Sequence, residues 1–121
     1  MNNFGCPWGA TYSAAQLAAS VAENEAEVDR LIALARQYET IAFSVAVGNE
    51  ATVDRTDHFV PVHRMIDPVR RVKQAVQQPV TFCENDVPWQ HKLRDLVAEL
   101  DFNRLPKQVM TDWPAPVPQA A

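Results

Sequence analysis

A mostly apolar run without a charged residue covers positions 41–47 and ends at Gly48, with Asn49 and Glu50 directly behind it. An apolar run of this length before a turn residue is typical of a strand buried on both faces. The two polar residues would then lie at the carboxyl end of the strand, where parallel α/β sheets carry their functional residues. We therefore expect a functional edge at this point of the chain.

Helical periodicity precedes this run. Ser13 and Gln16 have the spacing of a capping box that opens an alanine-rich helix through Ala22, and Asn24 with Glu27 repeats that spacing. From there the apolar residues recur at intervals of three and four, as on one face of a helix that leads into the apolar run: Val28, Leu31, Ile32, Ala35 and Tyr38.

The rest of the chain alternates connection, helix and strand. Positions 51–66 indicate a long polar connection, after which Asp67 caps a helix with Pro68 in its first turn. A second buried strand covers positions 79–83 and ends at Glu84. A third helix begins at about position 86, with an apolar stripe made by Trp89, Leu93, Leu96, Val97 and Leu100.

This order of elements predicts an α/β fold with parallel strands and right-handed crossovers. Two strands fall short of the roughly three that an independent sheet needs. Asp101 and Phe102 resemble the start of a further strand, which Pro106 interrupts. We assign residues 1–106 to the folded domain and residues 107–121 to a proline-rich, flexible tail.

Size and charge limit the class of protein. The 121 residues are enough for one domain, and a net charge of −4 argues against nucleic acid or an anionic membrane as partner. No apolar run reaches the roughly 20 residues of a membrane span, and no signal peptide is visible, so we expect a cytoplasmic protein. Cys6 and Cys83 then favour reduced thiols over a disulfide. Metal-ligand spacings and glycine-rich nucleotide loops are missing, so neither a metal nor another cofactor is expected.

Two glutamates are the candidates for chemistry. Glu50 and Glu84 each follow a predicted strand, so in a parallel sheet they share one rim. Neighbouring strands lie about 4.8 Å apart, which brings both carboxyl groups within reach of one substrate. Paired carboxylates with different pKa values are suited to acid/base hydrolysis of glycosidic bonds. The alternative is that both residues are helix caps or solvated loop carboxylates.

Aromatic and histidine side chains near these glutamates each allow two interpretations. Trp89 could offer a flat face to a sugar ring or pack in the core, and Trp8 has the same ambiguity. His58 and His63 lie in the polar connection at a spacing that fits no compact metal-ligand motif, which favours exposed loop histidines over a metal site.

Three segments resemble the bacterial branch of glycoside hydrolase family seventeen: VAVGNE at 45–50, RRVK at 70–73 and QPVTFCE at 78–84. These are β-1,3-glucanase-like enzymes within a clan of (β/α)₈ (TIM) barrels, and the resemblance covers roughly positions 24–102. In that clan an Asn-Glu pair ends the fourth barrel strand. The resemblance implies that Glu50 is the general acid/base, that Asn49 binds the sugar near its 2-hydroxyl, and that Glu84 ends the fifth strand.

The family uses a second catalytic Glu after the seventh strand, and this chain stops before that strand. We therefore expect a partial (β/α)₈ barrel, completed by self-association into a homo-oligomer. It would act on a β-glucan or short β-glucoside with Glu50 as general acid and Glu84 as base or nucleophile. Asn49, Trp89 and His58 are the expected substrate contacts.

Two alternatives remain. One is an inactive barrel fragment that serves as a carbohydrate-binding or interaction module. The other is a small α/β protein of unrelated function, in which the pair Asn49 and Glu50 is coincidental.

Overall fold

The computed structural model describes residues 12–54 and 59–104, and in them it shows helices beside one parallel pair of strands. The predicted α/β class is confirmed at that level. In chain order the elements are α1 (Ala14–Gln37), β1 (Val45–Asn49), α2 (Val62–Ala75), β2 (Val80–Cys83), α3 (Asp86–His91), α4 (Arg94–Val97) and a short 3₁₀ helix (Phe102–Arg104). No helix in these two ranges is long and apolar enough to cross a membrane.

Helix α1 begins at the predicted capping box. The Gln16 amide donates to Ser13 Oγ at 3.1 Å, and the Ser13 amide donates to Gln16 Oε1 at 2.7 Å. The second capping pattern does not start a new helix, because α1 continues through Asn24 without a break. Asn24 is instead buried with Val28 and Ala35. The 24 residues of α1 therefore form one helix rather than two segments.

The two strands are buried on one face only, so the expectation of a strand buried on both faces is wrong. Val45, Val47, Val80 and Phe82 are buried, whereas the side chains that alternate with them, Ala46 and Cys83 among them, are exposed or half-buried. The reason is that α2 packs on one face of both strands, while α1 packs on α2. The first part of the apolar run also lies outside the core: Ile41 is 79% exposed and Phe43 is 56% exposed.

Helix α2 begins earlier than the sequence indicates. The connection predicted for positions 51–66 is shorter, because α2 already begins at Val62. Asp67 and Pro68 therefore lie inside the helix rather than at its start. Met65, Val69 and Val72 are fully buried on one stripe. Burying each of these side chains stabilises the fold by about 1.5–3 kcal/mol, which together outweighs the roughly 3 kcal/mol cost of an internal proline.

The predicted third helix is two short helices. The chain turns at Lys92, whose amide donates to the Pro88 carbonyl at 3.0 Å, and this break lets Leu93, Leu96 and Leu100 all face the core. Val97 is 44% exposed instead. After them Asp101 lies against β2, and the chain continues into the 3₁₀ helix rather than a further strand.

Candidate functional site

The carboxyl ends of β1 and β2 meet at one rim, as the sequence predicts. Asn49 is the register partner of Cys83, and the Glu50 amide donates to the Cys83 carbonyl at 2.8 Å. Both Asn49 and Glu50 are exposed. The rim therefore brings the backbones that carry Glu50 and Glu84 next to each other.

The backbone at the end of β1 is unusual at two positions. Gly48 has φ +82° and Glu50 has φ +49°, and the strand register shifts between Ala46 and Asn49. A positive φ suits glycine, but for a residue with a β-carbon it costs about 1–2 kcal/mol. The turn thus presents Glu50 in a conformation that a residue of this type rarely adopts.

Glu84 is held by three hydrogen bonds. Its Oε2 accepts from the Thr52 amide at 2.9 Å and from Thr52 Oγ1 at 2.6 Å, and its Oε1 accepts from the Asn85 amide at 2.8 Å. Thr52 is fully buried. The carboxylate of Glu84 therefore ties the end of β2 to the turn that follows β1. The sequence did not single out Thr52, and its only signal is a hydroxyl two residues beyond Glu50.

Trp89 makes the contacts of a packed residue. Its Nε1 donates to the Glu84 carbonyl at 3.0 Å, and its ring meets those of Phe82 and Phe102 edge to face, at centroid distances of 6.0 and 5.9 Å. This arrangement matches the core-packing interpretation of Trp89, which is half-buried against the core and hydrogen-bonded to the main chain at Glu84. His58 and Trp8 lie outside the described residues, and His63 is exposed on α2.

A cleft of about 390 Å³ opens beside the rim. Its lining combines apolar and charged side chains: Val53, Asp54, Asn85, Asp86, Val87, Pro88, His91 and Lys92. Lys92 Nζ lies 3.0 Å from Asp54 Oδ1 and 5.2 Å from the centroid of the Phe59 ring. The ion pair therefore joins the turn after β1 to the end of α3 across the cleft.

The opposite side of β2 carries a buried carboxylate that the sequence did not single out. Asp101 accepts from the Val80 amide at 3.0 Å and pairs with Lys73 at 3.1 Å and with Arg104 at 3.3 Å. Burial raises the pKa of Asp101, but the Val80 amide, Lys73 and Arg104 outweigh it and hold the pKa below its ordinary value. Asp101 thus secures the outer edge of β2 rather than contributing to the rim.

No group of three or more His, Cys, Asp or Glu side chains in residues 12–54 and 59–104 is placed to hold a metal ion. Comparison of the chain with protein-family models, with curated proteins and with solved structures found no match in any of the three.

Proposed function

We propose that the rim at the carboxyl ends of β1 and β2 is the sugar-binding edge of a β-glucoside-cleaving site, with Glu50 as the general acid/base. The observation that carries the proposal is the placement of Glu50. It is exposed, directly follows a parallel strand beside the exposed Asn49, and has a positive φ. Backbone conformations of this kind cost about 1–3 kcal/mol and cluster at functional sites.

The proposal includes the architecture around the rim. In it, β1, α2 and β2 with the following helices correspond to part of a (β/α)₈ barrel, and self-association of the chain contributes further strands. Barrels of this class place their chemistry at the carboxyl ends of the strands, which is where Asn49 and Glu50 lie.

Cleavage of a glycosidic bond requires a proton on the glycosidic oxygen. Glu50 donates that proton while the bond between the oxygen and the anomeric carbon breaks. Water forms the new bond to the anomeric carbon, either directly or after a carboxylate nucleophile, and Asn49 hydrogen-bonds a hydroxyl of the same sugar. A second carboxylate is needed about 5–5.5 Å away for retention or about 6.5–9.5 Å away for inversion. Glu84 is the rim carboxylate available for that role, and its two oxygens accept three hydrogen bonds, from Thr52 and Asn85.

Sugar binding without cleavage is the second candidate function. The three hydrogen bonds accepted by Glu84 favour this second function, because they give both oxygens of the expected second carboxylate a structural role. In this alternative Asn49 and Glu50 act as ligands for sugar hydroxyls and no bond is broken.

Release of glucose from a β-1,3-linked glucose oligosaccharide distinguishes the two candidates, because a sugar leaving group needs the proton of a general acid. For a glycosidase, Glu50→Gln lowers the rate by about 10²–10⁴-fold, the range expected for loss of a general acid. Glu39→Gln is the matched control, because Glu39 is an exposed carboxylate that precedes β1 rather than following it. Turnover that survives Glu50→Gln contradicts the assignment of Glu50.

Titration with a β-1,3-linked oligosaccharide, followed by amide chemical shifts, covers the case of no turnover. Sugar binding without cleavage predicts chemical-shift changes at Asn49 and Glu50. Glu50→Gln should weaken these changes, and Glu39→Gln should leave them unchanged. A protein that neither cleaves nor binds the oligosaccharide contradicts both candidates.

A further inference from the structure

The outer edge of β1 has no partner strand in the described part of the chain. The sheet contains β1 and β2, so one edge of β1 pairs with β2 and the other does not pair with a strand. The Val45 amide donates to the Pro79 carbonyl at 3.0 Å, towards β2. Because main-chain groups of successive strand residues point to opposite edges, the amide and carbonyl of Ala46 are directed to the outer edge.

The outer edge of β2 is treated differently. The Asp101 amide donates to the Val80 carbonyl at 2.8 Å, and the Val80 amide donates to Asp101 Oδ2 at 3.0 Å. Asp101 thus hydrogen-bonds both main-chain groups of Val80, at the start of the outer edge of β2. Within residues 12–54 and 59–104, no such main-chain contact covers the outer edge of β1, so we take that edge as the candidate for pairing.

The surface beside the β1 edge is apolar. A groove of about 110 Å³ separates β1 from α1, and five of its six lining residues carry no charge: Val28, Leu31, Ala46, Val47 and Gly48, with Glu27 as the sixth. Directly before β1, Ile41 and Phe43 are 79% and 56% exposed. Large exposed apolar side chains next to an unpaired edge are typical of a surface that associates.

We infer that this edge pairs with the same edge of a second copy of the chain, in antiparallel orientation about a two-fold axis. A two-fold axis places identical edges antiparallel, so a single surface serves both partners. Residues 41–49 contain no charge, and antiparallel pairing of this segment with itself brings no like charges together. Edge strands that remain monomeric usually carry lysine, proline or an inward-facing charge, and β1 has none of them.

The partner strand extends the sheet to four strands, in the order β2, β1, β1 and β2, which passes the roughly three strands that a stable sheet needs. The register irregularity at Gly48 limits the pairing to the part of β1 before that residue. Ile41 and Phe43 of each copy then lie over the other copy. The β1 pair is antiparallel, so it adds strands without closing a parallel (β/α)₈ barrel and is an alternative to the barrel completion described above. The sugar chemistry of the rim does not depend on this pairing, so the rim assignment and the dimer fail separately.

Sedimentation equilibrium of the full chain tests the inference. We expect twice the 13.6 kDa chain mass at micromolar concentrations. Ala46→Pro removes the outward amide while leaving the Val45 bond to β2, and Phe43→Lys places a charge on the contact. Each variant weakens the dimer by at least about tenfold in Kd, a change that corresponds to 1.4 kcal/mol.

Val97→Lys is the matched control, because Val97 is 44% exposed on α4 and lies away from the β1 edge. It leaves the dimer unchanged, and the far-ultraviolet circular dichroism of all variants checks that they fold. A wild-type chain that stays monomeric overturns the inference. The inference is also overturned if the Ala46→Pro and Phe43→Lys variants fold and dimerise as tightly as the wild type.

Discussion

Replacement of Glu84 by Gln tests whether its carboxylate is the link between β2 and the turn after β1. The amide cannot accept at both positions, so at best it keeps the two bonds from Thr52 and loses the bond from the Asn85 amide. Loss of one bond at a half-buried site costs about 1–3 kcal/mol, and loss of the charge weakens the other two by about 1 kcal/mol together. We expect Glu84→Gln to lower the free energy of unfolding by about 2–4 kcal/mol.

Urea denaturation followed by circular dichroism measures this change, and a double-mutant cycle assigns it. Thr52→Val removes the hydroxyl bond to Glu84 while keeping the amide bond, and we expect it to cost about 1.5–3 kcal/mol. If the two side chains act through their mutual bond, the double variant is less destabilised than the sum by about 0.5 kcal/mol, the hydroxyl bond's share of the weakening. Glu39→Gln, on an exposed carboxylate, stays within about 0.5 kcal/mol of wild type. A Glu84→Gln cost below about 0.5 kcal/mol, or strict additivity with Thr52→Val, refutes the link.

Three further changes test other parts of the fold. Gly48→Ala should lower the free energy of unfolding by about 1–3 kcal/mol, because φ is +82° and a β-carbon would lie 3.2 Å from atoms of Met65 and Phe82. Calorimetry measures this loss of stability, and an unchanged Tm contradicts the prediction. Ser13→Ala should cost about 1 kcal/mol in urea denaturation through loss of the cap, while Ser20→Ala inside α1 should cost nothing; equal costs contradict the cap. Asp101→Asn should flatten the acid limb of stability, as measured by unfolding from pH 7 to pH 2; an acid limb as steep as that of wild type contradicts this.

The sign of the Asp101 effect follows from its lowered pKa. A carboxyl whose pKa is lower in the folded state than in the unfolded state, roughly 3.9, contributes stability above that value. The contribution is lost as the pH falls below about 4 and through the folded-state pKa. The Asn variant has no such group, so its stability changes less over this range, and at pH 7 it is lower than wild type by about 1–3 kcal/mol.

Local signals in the sequence predicted what depends on local structure. The capping box of Ser13 and Gln16 marks the start of α1, and the apolar runs before Glu50 and Glu84 mark parallel strands whose carboxyl ends share a rim. The cap and the strand positions follow from side-chain spacing and backbone preferences within a few residues. The parallel pairing follows from the alternating order of helices and strands.

Features that depend on distant packing were missed. An apolar run does not reveal how many faces are covered, and here α1 packs on α2 and leaves one face of β1 exposed at Ala46. The pair Asp67 and Pro68 resembles a helix start, but α2 begins earlier, at Val62. Burial of Met65 against the core favours helix in the turn before Pro68. The bonds from Thr52 to Glu84 join residues that are 32 positions apart, which periodicity cannot show.

The most direct test of the proposed function is an amide chemical-shift titration of the wild-type chain with a β-1,3-linked glucose oligosaccharide. The account predicts saturable shifts at the rim, centred on Asn49 and Glu50 with smaller changes at Glu84 and Asn85, and it predicts none near Glu39 at the far end of β1. Absence of saturable shifts, or shifts away from the rim, contradicts the assignment of this edge as a sugar site.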